Sequence, residues 1–504
     1  MLKDFSKHTI MQQNNLKAYK KRVIKITPFL ICIFLFLLVS NLYAQPEWLK
    51  NTGVKSFPSS DKTFLVNDYG AHKNQFIAST KAIQKAIDTC SALGGGIVKF
   101  EPGVYHTGAI FLKDNVHLRI DENVELRALI GLEYYPEIET RVAGILMKWP
   151  CGIINIIDAK NVAITGKGTL HAQGKIYWER YWNLRNEYTP KGLRWAADYD
   201  CKRVRSIQIS NSENITIKGF TIKQSGFWTV HILFSNHVSV DGLTIRNNID
   251  GFGPSTDGIN VDSSTLVEVM NCDVDGNDDN YCIKAGRDAD GLKINKPSEY
   301  VYIHDCIARR GGGPLVIGSE TSGWVRHVYV ERMKAFDSES VIYLKSAKTR
   351  GGGIEDIFLK DVEAHGTRRF CGVTVNWNPS YSYASLPKDT ANIPEHWKKM
   401  LEEVPEDKGI PFIRNVKVVN CYADSVKTFA FDIQGIEQTL IENFSFENIK
   451  VSAAKSGKIE WARNWSFNNT EIITGNNTPI KLENTKDVKT EEIKYVYASK
   501  QLSE

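Results

Sequence analysis

Short runs in which apolar and polar residues alternate recur down this chain. The run Asn214-Ile-Thr-Ile-Lys-Gly-Phe-Thr-Ile222 has altered copies that begin at His237, Leu266, Tyr300, His327, Asp356, Asn415 and Asn443. Successive starts lie 23, 29, 34, 27, 29, 59 and 28 residues apart, so the 59-residue step holds either one unit with a large insertion or two units. Aligned on these starts, one apolar column holds Ile215, Val238, Val267, Val301, Val328, Ile357, Val416 and Phe444. A second column holds Ile217, Val240, Val269, Ile303, Val330, Leu359, Val418 and Phe446. Mostly polar residues stand between the two columns, which is the period of a half-buried strand.

One such unit cannot bury its apolar face alone, but a stack of units can. No helical pattern separates the strands, so a crossover α/β fold is disfavoured. The steps are too short and irregular for propeller blades of about 40–45 residues. The expected fold is all-β: a parallel β-helix with equivalent residues about 4.8 Å apart in successive coils.

Thr80 to Ala92 has helical spacing, with Ala82, Ile83, Ala86 and Ile87 on one face, and Gly94-Gly95-Gly96 ends it. This helix is expected to cap the open end of the solenoid. The glycines follow a helix rather than open one, so they are not a phosphate loop. Two stretches interrupt the repeat. Tyr177 to Tyr199 carries Trp178, Tyr181, Trp182, Tyr188 and Trp195 among basic residues, and Asn378 to Pro411 carries Tyr381, Tyr383 and a short helix around His396 to Glu403. About half of these aromatics are expected to pack on the solenoid wall, the rest to offer stacking surfaces to sugar rings. The organisation expected is a signal peptide over 1–44, a cap region with its helix over 45–110, the β-helix over 111–490 and a C-terminal tail over 491–504.

Within 1–44, Lys17, Lys20, Lys21, Arg22 and Lys25 precede an apolar run from Phe29 to Val39. That run is too short to span a bilayer and suits an export signal cleaved after Ala44, giving a secreted or periplasmic protein. The net charge of +5 over 504 residues is too mild to argue for nucleic acid. It is compatible with an anionic substrate. Of nine cysteines, Cys32 lies in the signal, while Cys272, Cys306 and Cys421 share a column with Phe220, Leu243, Met333, Val362 and Ile449. Cysteines in such a column are buried hydrophobes, so free thiols are expected. No His/Cys spacing suits zinc.

The candidate chemistry lies in three aspartates: Asp257 in Ser255-Thr256-Asp257-Gly258, and the pair Asp278-Asp279. Asp257-Gly-Ile-Asn-Val261 and Asp279-Asn-Tyr-Cys-Ile283 occupy matching places in consecutive units, so the three carboxylates should converge. Such crowding is costly unless it serves acid/base chemistry or binds a cation.

The chain resembles the polygalacturonase family, glycoside hydrolase family 28, and the resemblance implies that family's single-stranded right-handed parallel β-helix. Asp278 follows Asp257 at the family's interval. Arg310-Gly311-Gly312-Gly313 and Tyr343-Leu344-Lys345-Ser346 look like the family's Gly-His-Gly and Arg-x-Lys elements. The resemblance implies that Asp278 is the general acid, that Asp257 and Asp279 activate water, and that Lys345 helps hold a substrate carboxylate. Tyr343 and Ser255 join Lys345 as substrate-binding positions, although the family has Arg and Asn there; Gly312 stands where it has His. The implied reaction is single-displacement, inverting hydrolysis of α-galacturonosyl linkages in homogalacturonan or the rhamnogalacturonan backbone. It needs no cofactor and no metal. The expected partner is a pectic poly- or oligosaccharide, with no nucleic acid, no membrane once the signal is removed, and a monomeric protein. Two other classes fit the residues: a β-helical polysaccharide lyase using Lys284 or Arg287, and a non-catalytic carbohydrate-binding solenoid.

Overall fold

A computed structural model describes residues 45–249, 253–388, 390 and 392–498. The signal expected over 1–44 lies outside the described residues. Contacts divide the chain into Met1–Asn51 and Thr52–Glu504. The first unit contributes a 3-10 helix, Glu47–Asn51; the second carries the fold.

The described residues of this second unit form a right-handed parallel β-helix, with 32 strands among them in one continuous parallel sheet system. The register joins the columns seen in the sequence residue for residue: Ile215↔Val238, Val238↔Val267, Val267↔Val301, Val301↔Val328, Val328↔Ile357, Ile357↔Val416 and Val416↔Phe444. Because Ile357 pairs directly with Val416, the 59-residue step is one coil with a large insertion. The side chains of both columns enter one core that runs through the solenoid.

Each coil turns at the residue where its repeat begins. Asn214, His237, Leu266, Tyr300, His327, Asp356, Asn415 and Asn443 all have φ between 53° and 59°. The left-handed region is costly for most residues and mildest for Asn, Asp and His. Side-chain ladders hold these corners: Asn464 Nδ2 donates to Asn443 Oδ1 at 2.7 Å, Asn443 to Asn415 at 2.9 Å, and Asn415 to Asp356 at 3.0 Å.

The helix Thr80–Ala92 forms where its spacing predicts and buries Ala82, Ile83, Ala86, Ile87 and Cys90 against the first coil. Parallel pairing extends beyond the expected 111–490 at both ends. Thr63–Leu65 pairs with Ile97–Lys99, and Ile493–Tyr497 pairs with Thr470–Thr474. Such short strands take their stability from the neighbouring rung, a relation the local pattern does not display. The eight described cysteines are free and buried.

The insertions build a second core beside the solenoid. The antiparallel hairpin Glu137–Val142/Ile145–Pro150, the segment Lys175–Asp200 and the helix Glu395–Met400 bring together Trp149, Trp195, Tyr199, Trp228, Tyr381 and Trp397. Trp195 and Trp397 meet edge to face at 5.0 Å, and Trp195 Nε1 donates to the Ser385 carbonyl at 3.0 Å. Most of the first insertion's aromatics therefore pack inward; Trp182 and Tyr188 stay half-buried.

Candidate active site

Sheet register assembles the site. Ile259 pairs with Tyr281, and the Gly258 N–H donates to the Asp279 carbonyl at 2.8 Å, which sets Asp257 and Asp279 in adjacent rungs. Both residues stand just before a strand, where the chain turns in from a corner. Further along these strands Ile283 pairs with Ile317 and Ile317 with Leu344. Lys284 and Lys345 consequently share a column with Gly318 between them. The column beside it holds Cys282, Val316 and Tyr343.

Lys345 Nζ donates to both Asp279 oxygens, at 3.1 and 2.9 Å. Lys284 Nζ lies 3.4 Å from Asp257 Oδ2, 3.8 Å from Asp279 Oδ2 and 3.5 Å from Glu320 Oε2, and donates to the Gly318 carbonyl at 3.3 Å. The Cys282 thiol donates to Asp279 Oδ2 at 3.2 Å. Asp278 is half-buried, and its Oδ1 accepts the Asp279 N–H at 2.9 Å. Tyr381 Oη and Ser319 Oγ donate to Glu320 Oε1 at 3.1 and 3.0 Å.

This arrangement separates the carboxylates electrostatically. Burial, and then the charge of Asp278, pushes the Asp257 carboxyl well above the usual range. Burial, and then the charge of Asp279, raises Asp278. Burial would raise Asp279 too, but Lys345 and Lys284 overcome it and hold that group below its ordinary value. Lys284 is pushed well upward by its acidic neighbours against the effect of burial. The site thus holds one firmly anionic carboxylate beside two that retain protons readily.

Asp257, Asp279 and Cys282 have ligand atoms within 4.8 Å of one another, the spacing of a metal triad. The ammonium groups of Lys284 and Lys345 already stand against these carboxylates and oppose a cation there. Elimination chemistry fits poorly as well. A lyase base must lose its proton, whereas Lys284 is held charged, and Arg287 is committed to Asp288, Tyr199 and the carbonyls of Tyr381 and Ser382.

The cluster lies where two cavities meet. An open one of about 740 Å³ is lined by Asp278, Asp279, Tyr343, Lys345 and Trp377, with Arg310, Arg368 and Lys427 farther out. A smaller one of about 80 Å³ is lined by Asp257, Asp278, Asp279, Lys284, Trp228 and Tyr381, among others. Tyr343 Oη accepts from Trp377 Nε1 at 2.9 Å, and the Arg369 guanidinium lies 4.4 Å from the Tyr343 ring centre. Ser255 lines the smaller cavity, and its hydroxyl donates to Asp198 Oδ1 at 3.1 Å.

The Lys345 ammonium faces Asp279, because burial demands a counter-charge. A Cβ at Gly312 would meet Asp279 Oδ1 at 2.4 Å and Asp279 Cα at 2.9 Å, so the close approach of the neighbouring rung requires glycine. Sequence reasoning missed Cys282, Glu320, Trp228 and Trp377 as neighbours of the site. Glu320 ends the glycine-rich element and could have been suspected from it; Trp377 carries no local signal.

A model of the glycosyl hydrolases family 28 matches residues 137–381. The chain is 25% identical over 470 residues to a probable polygalacturonase of Vitis vinifera, covering 88% of each chain. It is 27% identical to an endo-polygalacturonase of Pectobacterium parmentieri over 64% of this chain and 77% of that one. The crystal structure of a hyperthermoactive exopolygalacturonase from Thermotoga maritima superposes with a TM-score of 0.68 at 26% identity, covering 84% of this chain and 95% of that one.

Proposed function

We propose, from the premise that this chain belongs to glycosyl hydrolases family 28, that it hydrolyses galacturonosyl linkages of a pectic polysaccharide with inversion at the anomeric carbon. One observation carries the reading: three aspartates of divergent protonation meet two buried lysines where an open cavity joins a small one. Hydrolysis needs a proton for the leaving oxygen and a base for water on the opposite face of the sugar. Asp257 and Asp278 are both raised, and of the two only Asp278 lines both cavities, which makes Asp278 the acid. Asp279, kept anionic by Lys345 and Lys284, draws the proton from water, and Asp257 orients that water through its carboxyl.

Polymer carboxylates meet Arg310, Arg368 and Lys427 along the open cavity. Arg310 holds the mostly buried Asp275, while the other two are now paired with surface carboxylates, Arg368 with Glu339 at 2.5 Å and Lys427 with Asp337 at 2.8 Å. Such exposed pairs are worth only about 0–1 kcal/mol and exchange readily for a substrate anion. The basic and apolar segment in 1–44 supports export. No helix among the described residues is long and apolar enough to cross a membrane.

The test is reducing-sugar release from homogalacturonan and rhamnogalacturonan, with proton NMR of the first products. Inverted products are expected, and Asp278→Asn should lower the rate by about 10²–10⁴-fold while substrate still binds. Retained configuration, or an Asn variant near full activity, would refute the assignment. An unsaturated product absorbing in the ultraviolet would move the protein to the lyases.

A further inference from the structure

Glu320 is a buried acid beside the aspartates that the reaction proposed above does not use. It is only 3% exposed. Its Oε1 accepts hydrogen bonds from Tyr381 Oη at 3.1 Å and Ser319 Oγ at 3.0 Å. Its Oε2 faces Lys284 Nζ at 3.5 Å. Gly144, between the strands Glu137–Val142 and Ile145–Pro150, lies so near that a Cβ there would meet Glu320 Cγ at 2.7 Å. The backbone is fixed as well, since the Glu320 carbonyl accepts the Ala285 N–H at 2.7 Å. These contacts hold the side chain in one pose, and that pose aims its carboxylate at Lys284.

An acid so deeply buried keeps its charge only among cations. Burial raises the Glu320 carboxyl, but Lys284, and then Arg350, Arg287 and Lys345, overcome it and hold the group below its ordinary value. Lys284 makes the ion pair. Arg287 and Arg350 are both turned to Asp288, and Lys345 to Asp279. The remaining titratable groups near Glu320 are the Tyr381 and Tyr199 hydroxyls, which burial raises, so neither carries charge near neutral pH.

The charge of Lys284 is therefore divided. Its single ammonium stands 3.4 Å from Asp257 Oδ2, 3.8 Å from Asp279 Oδ2 and 3.5 Å from Glu320 Oε2, with the Trp228 ring 5.2 Å away. Three carboxyl groups at nearly equal distances compete for one cation. Glu320 is the member of that trio outside the reacting group. An anionic Glu320 offsets the ammonium, so Asp257 gains little from Lys284 and retains its proton. With a neutral side chain in place of Glu320, the whole charge of Lys284 would fall on the aspartates, and each would ionise more easily.

We propose that Glu320 is a positioning residue of the hydrolytic centre: it anchors Lys284 and takes up part of its charge, which keeps on the aspartates the proton that the leaving group needs. The proposal rests on the hydrolase reading above. The sign of the effect follows from charge. Removing an anion from the cluster lowers the pKa of every carboxyl that remains. Asp257 and Asp278 then give up their protons at lower pH, and Asp279 takes one up at lower pH, so both limbs of the pH–rate profile move downward together. A Glu320 that only held the fold would change stability and rate at every pH and move neither limb.

The experiment measures kcat/KM against pH for wild type, Glu320→Gln, Glu320→Ala and Glu320→Asp on pectic oligosaccharides. The infrared band of protonated carboxyl groups is titrated in the same proteins. Both limbs of Glu320→Gln and Glu320→Ala should lie about one pH unit below wild type, and the infrared band should vanish at correspondingly lower pH. Glu320→Asp keeps the charge, and its limbs should return close to wild type. Limbs and band that stay in place in a folded neutral variant, or that move as far in Glu320→Asp, would overturn the proposal and leave the hydrolase reading intact. If neither neutral variant folds, the wild-type band decides: a protonated carboxyl persisting near neutral pH is expected, and its absence would overturn the proposal. No hydrolysis of any pectic substrate would sink the hydrolase reading, and the infrared titration would then judge the charge arrangement by itself.

Discussion

At the scale of single residues, Lys345 has the most to test. Its ammonium is the nearest cation to Asp279 and the main reason that carboxylate stays below its ordinary range. In the proposed mechanism Asp279 is the base and must be anionic to act, so activity should fall as pH drops through its pKa. Lys345→Met should raise that pKa and move the acidic limb of the pH–rate profile to higher pH, while the alkaline limb set by Asp278 stays in place. An unmoved acidic limb would separate Lys345 from the base. The same change leaves a buried charge short of a partner and should cost about 3–5 kcal/mol of stability, read as a lower denaturation midpoint. Tyr343 decides a different property. In the proposed reaction the leaving sugar would meet the Tyr343 ring face, held by Trp377, where a free guanidinium would grip a carboxylate. The neighbouring cations are already engaged, Lys345 with Asp279 and Arg369 with Asp432 at 2.8 Å. We expect rhamnogalacturonan oligosaccharides to be cleaved in preference to homogalacturonan, and Tyr343→Arg to narrow the difference. A homogalacturonan preference that Tyr343→Arg leaves unchanged would exclude this role.

Among elements, strands and insertions do different work. The strands carry the site's register: because Asp257 and Asp279 are one rung apart, a slip of one residue would turn their side chains to the other face of the sheet. The insertions carry the second apolar core. Trp195 is fully buried in their shared core and touches Trp397. Replacing a buried Trp by Ala costs about 3–5 kcal/mol, and this core lies outside the solenoid's own. Trp195→Ala should therefore loosen the insertions before the coils. Hydrogen exchange would show faster exchange in Lys175–Asp200 with the coil strands unchanged. Equal acceleration throughout would mean that the two cores unfold as one.

For the molecule as a whole, stability comes from stacked apolar columns, with no disulfide among the described residues. Burial drives most of the thiols above their ordinary pKa, so they are poor nucleophiles as well as unpaired. The thermal midpoint should then be the same with and without a reducing agent. A marked drop on reduction would reveal a cross-link that this fold does not contain.

The sequence alone determined the solenoid, because a period-two apolar column repeated coil after coil has few ways to be buried other than by stacking. It also determined the capping helix and the meeting of three aspartates, since matching positions in successive repeats must lie one rung apart. Even the coil corners were marked, as the repeat starts rich in Asn, Asp and His prove to be the left-handed turns. Only the tertiary structure decided the rest. The partner of Lys345, the approach of Asp279 to Gly312, and the small cavity shared by Ala143, Arg194 and Tyr381 each depend on residues far apart in the chain. The repeat fixes what lies above and below each residue. It carries no information about where irregular insertions settle, because their packing is governed by shape and charge matching across segments that share no period.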